Sequence, residues 1–255
     1  FQRRGLLYQA IRLAERCTLA LADVALATNE SVRAVIRERG RKQDTEIFTV
    51  RTAPNTLDLT APVDQSLRQG RRHLVSYIGV IGSADGVEYL IEAVAHIVRT
   101  RQRHDVHFLL MGHGPEYESV LALRDSLGLT EWIAMPGRVT DGFLCSALQT
   151  MDLGVACDPI NTYNDHCTMN KTLEYMAFGK AQVIFGTREG RYSAGEAALC
   201  VMENSAEKLG DAILELLDDE PRRLEMGRKG RERLTGESSW ERSVQALLHA
   251  YQVVA

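Results

Sequence analysis

No apolar run in the chain approaches the roughly eighteen residues that a membrane-spanning helix needs, and no charged-then-apolar leader opens it. A cytoplasmic protein is therefore expected. No charge of one sign dominates: 30 Lys and Arg stand against 34 Asp and Glu, a net charge of −4, so the overall balance does not call for a nucleic-acid partner. The five cysteines, at 17, 145, 157, 167 and 200, have no pair at the two-residue spacing of a zinc site, and their number is odd. They are expected to be buried thiols. Internal repeats and low-complexity tracts are also lacking. At 255 residues the chain is long enough for one large or two smaller domains with a full core. It begins with Phe1 inside a helical pattern, as a fragment or a processed chain would, and sequence upstream of it is expected.

What is present is a regular alternation. Gly5 to Ala22 has apolar residues at Leu7, Ile11, Ala14, Cys17 and Leu21, the spacing of an amphipathic helix. A short strand at 23–28, a helix capped by Asn29 or Ser31 and ended by Gly40, and a β-rich run at 46–50 follow. Residues 53–72 lose periodicity and read as a linker. Strands are then predicted at 73–78, 106–111, 132–135, 152–156, 181–185 and 198–202, alternating with helices at 86–102, 116–127, 140–149 and around 167–180. Helices at 206–218, 221–234 and 238–253 close the chain, the last with a capping box from Ser238 to Glu241. This is the signature of an α/β fold with a doubly wound, Rossmann-like parallel sheet covered by helices on both faces.

Chemistry in such a sheet belongs at the carboxyl ends of its strands. Gly79, Gly82 and Ser83 lie in the first loop, where backbone N–H groups can approach phosphate oxygens. Its glycines fall at positions one, four and eight, not in the dinucleotide pattern, which disfavours an NAD-dependent oxidoreductase. Gly112 and Gly114 flank His113 in the second loop; a plain turn with a solvated histidine is the simpler reading there. The loop from Asp158 to Cys167 has Asp158, Asp165 and His166 without ligand spacing, so it is expected to be solvated and metal-free. It leads into a helix with Thr168, Asn170 and Lys171 at its start and Glu174 one turn on, a cation and a carboxylate suited to phosphate and sugar hydroxyls. The glycine-rich stretch 186–195 reads as a loop, with Arg188 and Arg191 free to hold an anion.

From about His73 onward the chain resembles the C-terminal, nucleotide-sugar-binding half of the family 4 glycosyltransferases, which have the GT-B fold. Tyr77-Ile78-Gly79, Gly86 to Ala93, Leu109 to Pro115, Pro136-Gly137-Arg138-Val139 and Leu173 to Lys180 carry the resemblance. It implies three parts: residues 1–52 as the end of an N-terminal acceptor domain, 53–72 as linker, and 73–255 as the donor domain. Glu174 would take the ribose hydroxyls, the backbone near Arg138 and Val139 the base, and the helix start from Thr168 to Lys171 the diphosphate. The implied reaction is transfer of a sugar from a UDP- or GDP-linked donor, with retention of configuration and without a cofactor, to a glycan or lipid-linked acceptor in polysaccharide assembly. Family members often have arginine and lysine in the first loop where this chain has Val80 and Asp85, and a glutamate where it has His166. Lys171, and secondarily Arg191, are then the expected catalytic cations. The segment Thr168-Met169-Asn170-Lys171 matches a subgroup that dispenses with the first glutamate, which favours retained activity over a non-catalytic nucleotide-binding module. The cluster Arg33, Arg37, Arg39, Arg41 and Lys42 reads as a solvated helix face, with peripheral contact to an anionic membrane as the alternative.

Overall fold

The computed structural model describes residues 5–54, 57–236 and 239–254. In chain order its elements are α1 (Leu6–Leu21), β1 (Ala25–Ala27), α2 (Glu30–Gly40), β2 (Ile47–Thr49), β3 (His73–Ile78), α3 (Val87–Ala95), β4 (Val106–Met111), α4 (Tyr117–Ser126) and β5 (Ile133–Gly137). They continue as α5 (Asp141–Thr150), β6 (Leu153–Ala156), α6 (Asn170–Ala177), β7 (Gln182–Phe185), α7 (Arg188–Ala194), β8 (Ala198–Val201), α8 (Ala206–Asp218), α9 (Glu220–Thr235) and α10 (Trp240–Val254). Two compact units result, Phe1–Ala53 with Glu237–Ala255, and Pro54–Gly236. Among the described residues no helix is long and apolar enough to cross a membrane.

The larger unit is built on a six-stranded, wholly parallel sheet of order β5-β4-β3-β6-β7-β8. Every residue of β3, β4, β6 and β7 is buried, as expected of central strands with helices on both faces, whereas the edge strands β5 and β8 are only partly covered. One face packs on Leu90, Ile91 and Val94 of α3 and Ile213 and Leu216 of α8; the other packs on Leu148, Leu173, Met176 and Leu234 from α5, α6 and α9. Each fully buried side chain of this size stabilises by roughly 1.5–3 kcal/mol.

The chain reverses its direction of travel across the sheet between β3 and β6, which share only the pairs Val75↔Leu153 and Ser76↔Gly154. Beyond them the two strands diverge, and Tyr175 of α6 fills the gap. Its hydroxyl accepts the N–H of Ile78 at 3.2 Å and donates to the Val155 carbonyl at 3.0 Å. The ring fits because residue 154 is glycine: a Cβ there would stand 2.5 Å from it.

Several sequence expectations shift. The segment drawn as a linker joins the larger unit: Ala61 enters its core, Asp64 N–H bonds the Thr150 hydroxyl at 2.8 Å, and Arg68 pairs with Asp152 at 2.5 Å. The stretch 186–195, read as a loop, contains α7, whose start is capped where the Thr187 hydroxyl accepts Gly190 N–H at 3.2 Å. The helix expected over 86–102 gives way after Ala95 to a π-helical turn, His96–Thr100. The helix expected around 167–180 is shorter, with Gly179 at φ +65° just past its end.

In the smaller unit, parallel β1 and β2 pack with α1, α2 and α10. Asn29 does cap α2, accepting Val32 N–H at 2.8 Å. Gly40, however, is helical and Arg41 takes the left-handed turn at φ 55°; Gly40 serves the contact with α1, where a Cβ would lie 2.8 Å from the Leu19 side chain. The last helix, placed by sequence in the donor domain, belongs here, its His249 edge-on to Phe48 at 5.2 Å. Ser238, the expected cap of that helix, lies outside the described residues. Of the basic cluster, Arg33, Arg37, Arg39 and Lys42 pair with Asp44, Glu15 and Glu46 of the same unit. The thiols are not uniformly buried: Cys145 and Cys157 are, but Cys17 is exposed.

His107 on β4 is 3% exposed, and burial, with Arg71 adding to it, pushes its pKa down to about 4. The unfolded chain, near 6.5, binds the proton first, so stability is full above that value and falls as pH drops through 4, by about 3 kcal/mol. Denaturant midpoints measured from pH 7 to 4 should fall, and His107→Phe should flatten the slope; an unchanged slope in that variant would assign the acid sensitivity elsewhere. Gly154→Ala should cost about 1–3 kcal/mol by overpacking against Tyr175, read in the same assay.

Candidate functional site

The strand divergence between β3 and β6 leaves a crevice at the carboxyl edge, as topological switch points do. It is framed by the loop after β3, the long loop after β6 and the start of α6. Tyr175 fixes α6 over this crevice, and Lys171, four residues earlier, is carried beneath the glycine loop. A Cβ on Gly79, whose φ is +142°, would stand 3.1 Å from Lys171 Cε.

Lys171 is buried, at 7% exposure, and its ammonium has three partners. Asp158 Oδ1 lies at 2.8 Å, Asp85 Oδ1 at 3.6 Å, and the Tyr77 ring centroid at 4.8 Å. Tyr77 is oriented by donating its hydroxyl to the Val80 carbonyl at 2.6 Å. Burial is the strongest single influence on Lys171 and works to lower its pKa, but the charge and hydrogen bond of Asp158, with Cys157 and Asp85 adding to them, together hold the amine above its ordinary value. Burial pushes the Asp158 carboxyl up, against the pull of Lys171. Two carboxylates thus face one ammonium.

Glu174 is half-buried one turn along α6. Burial raises its carboxyl above the usual range, with Lys171 pulling the other way. Its backbone carbonyl serves the helix, while no hydrogen bond or ion pair to its carboxylate is made among the described residues. Thr168 lies 3.5 Å from the buried Glu189 carboxylate, and Asn170 is the exposed first residue of α6.

The other candidate residues divide by role. Gly112, at φ +148°, is needed because a Cβ would sit 1.7 Å from the Gly79 carbonyl, and one on Gly114 would crowd Ile81 at 2.4 Å. These two glycines therefore let the loops after β3 and β4 pack backbone to backbone. The Gly82 N–H is already taken by Asp85 Oδ2 at 3.1 Å. Ser83 is exposed and opens on a separate cleft with Glu88, Glu116 and Ser119. Arg138 is exposed, whereas Val139 packs on the core. Arg191 is exposed on α7, close enough to Cys200 to oppose the upward push of burial on that thiol, and no contact joins it to Lys171. His113 is exposed and stacks on Tyr117 at 4.7 Å.

Sequence reasoning missed Asp158 as a partner of Lys171. The loop that was expected to be solvated buries Asp158 and Asn164, and Asp165 accepts Arg188 N–H at 2.8 Å at the start of α7. Tyr77 and Asp158 each follow or end a central strand, the one signal that could have drawn attention to them. Among the described residues no group of three or more His, Cys, Asp or Glu is placed to hold a metal ion.

Residues 72–219 match the family described as glycosyl transferases group 1. A curated relative, the GDP-mannose-dependent monoacylated alpha-(1-6)-phosphatidylinositol monomannoside mannosyltransferase of Corynebacterium glutamicum, is 30% identical over 162 residues, 61% of this chain and 41% of that protein. Among solved structures, the sucrose-phosphate synthase of Thermosynechococcus elongatus shares the fold with a TM-score of 0.78 at 19% identity, covering 96% of this chain and 62% of that one. Anabaena HepE, in complex with UDP and glucose, does so with a TM-score of 0.71 at 14% identity, covering 96% and 66%. The chain thus spans less than two thirds of the length of each.

Removing the Lys171 charge leaves Asp158 buried without its partner, so Lys171→Met should destabilise the larger unit by about 3–5 kcal/mol. Pairing it with Asp158→Leu should recover most of that loss, because a buried ion pair is replaceable by packing. Chemical denaturation of the two variants checks this; a single variant within about 1 kcal/mol of wild type would mean that solvent screens the pair.

Proposed function

The chain belongs to the group 1 glycosyl transferases, and on that premise we propose that residues 54–236 bind the nucleotide-sugar donor of a family 4, retaining glycosyltransferase that acts on a glycan or lipid-linked acceptor. The observation that carries this reading is Glu174. A half-buried carboxylate with a raised pKa and no donor to it among the described residues, one turn from a buried ammonium at the switch point, is an acceptor waiting for hydroxyl groups. The vicinal hydroxyls of a ribose supply two. Lys171 stands on the phosphate side, where positive charge stabilises a departing nucleoside diphosphate. The backbone around Arg138 and Val139, joined to the neighbouring loop by Gly112 N–H on the Gly137 carbonyl at 2.9 Å, is the proposed seat of the base. Arg191 is the weaker candidate cation, since it is exposed on α7 with no contact to the cluster. The donor is UDP- or GDP-linked by analogy with HepE and the mannosyltransferase.

The neutralisation of Lys171 by carboxylates favours one other reading, a module that binds nucleotide without transferring sugar. Transfer or hydrolysis of a nucleotide-sugar would decide against it.

Calorimetric titration of the chain with UDP, GDP and ADP tests the proposal. Saturable binding of one nucleotide is expected, and Glu174→Ala should weaken it roughly tenfold to a hundredfold, the value of one or two hydrogen bonds to a charged acceptor. Unaltered affinity in that variant would remove Glu174 from the site.

A further inference from the structure

Asp85 and Asp158 both face Lys171 but are held differently. Asp158 is 4% exposed, and its Oδ2 is buried with no hydrogen-bond partner among the described residues, while Oδ1 keeps the ammonium at 2.8 Å. Asp85 retains 22% of its side-chain surface. Its Oδ2 accepts the Gly82 N–H at 3.1 Å and its Oδ1 stands 3.6 Å from the ammonium. A carboxylate that takes the N–H of a glycine turn and faces a lysine at the same time occupies the place of an oxyanion ligand.

The loop backbone around Asp85 is pinned independently of its carboxylate. Asn164 donates to the Ala84 carbonyl at 3.0 Å, and Asp85 N–H bonds the Gly82 carbonyl at 3.0 Å. Rotation of one partly exposed side chain therefore vacates the position without moving the loop. Lys171 would stay where it is, since Asp158 holds it. The vacated place would then offer an ammonium, a glycine N–H and the open acceptor of Asp158 Oδ2, a set that matches a phosphate next to a hydroxyl-bearing group.

We propose that the Asp85 carboxylate is an internal stand-in for the donor's phosphate: a nucleoside diphosphate binds by displacing it from Gly82 and Lys171, so Asp85 lowers the affinity for phosphate-bearing ligands. This rests on the donor-binding reading above. Until Asp85 leaves, a diphosphate meets a cluster in which carboxylates outnumber the ammonium, and like charges repel it.

Calorimetry with the nucleoside diphosphates and with the corresponding phosphate-free nucleosides tests it. Asp85→Asn keeps an acceptor oxygen for Gly82 and removes the charge; Asp85→Ala removes both. Each should tighten diphosphate binding by about tenfold while leaving nucleoside binding unchanged, and the exposed neighbour Glu88→Gln should change either by less than about twofold. A wild type that binds diphosphate and an Asp85→Asn variant that binds it no more tightly would overturn the proposal while leaving the donor reading intact. No binding of any nucleotide by wild type or by either folded variant would overturn both.

Discussion

The Tyr175 hydroxyl, set between the Ile78 N–H and the Val155 carbonyl, is the contact on which the functional geometry depends. β3 and β6 share two residue pairs and then part, and a backbone N–H left in that wedge would be buried without a partner. Tyr175 satisfies it from α6 and thereby fixes that helix to the sheet. Because α6 cannot slide or rotate once the ring is seated against Gly154, Lys171, one turn earlier, and Glu174, the residue just before the tyrosine, acquire fixed positions over the crevice.

A buried ammonium is costly unless it is paired, and the pairing here is with carboxylates on two loops that share no sequence neighbourhood. Asp158 comes from the loop after β6 and Asp85 from the loop after β3. The cluster therefore ties together the strand ends on both sides of the switch point, with Tyr77 beneath it. The ammonium that a diphosphate would need is the one that holds the crevice in shape. Charge balance in the crevice is thus as much a structural matter as a binding one, and it explains why the loop expected to be solvated is partly buried: Asp158 has to reach inward to meet Lys171.

The parallel sheet was legible because its signals are local and periodic. Six apolar runs alternate with helical patterns, and the strands at 73–78 and 106–111 and the helix at 206–218 fall where hydrophobic spacing puts them. Boundaries failed where a local signal served a distant partner. α2 does end at Gly40, but the left-handed turn falls to Arg41, and Gly40 is glycine at the point where α1 crowds α2. The glycines of 186–195 suggested a loop, but Thr187 caps a helix there and buried Ser193 and Ala194 hold it. Residues 57–72 lack periodicity because they are fixed by single contacts, such as Arg68 with Asp152, and not by a repeating face.

By itself the sequence determined the fold class and set Lys171 and Glu174 within one turn of each other on α6, since each depends on spacing within a few residues. The tertiary structure decided which of the candidate groups meet. It set Asp85 and Asp158 against Lys171, left Glu174 without a donor among the described residues, gave Gly112 and Gly114 to loop packing, and left Arg191 exposed on α7. The physical reason is that charge, unlike hydrophobic periodicity, acts between side chains whose proximity is set by strand order, and strand order joins residues 85, 158 and 171 only once β6 has come to lie beside β3.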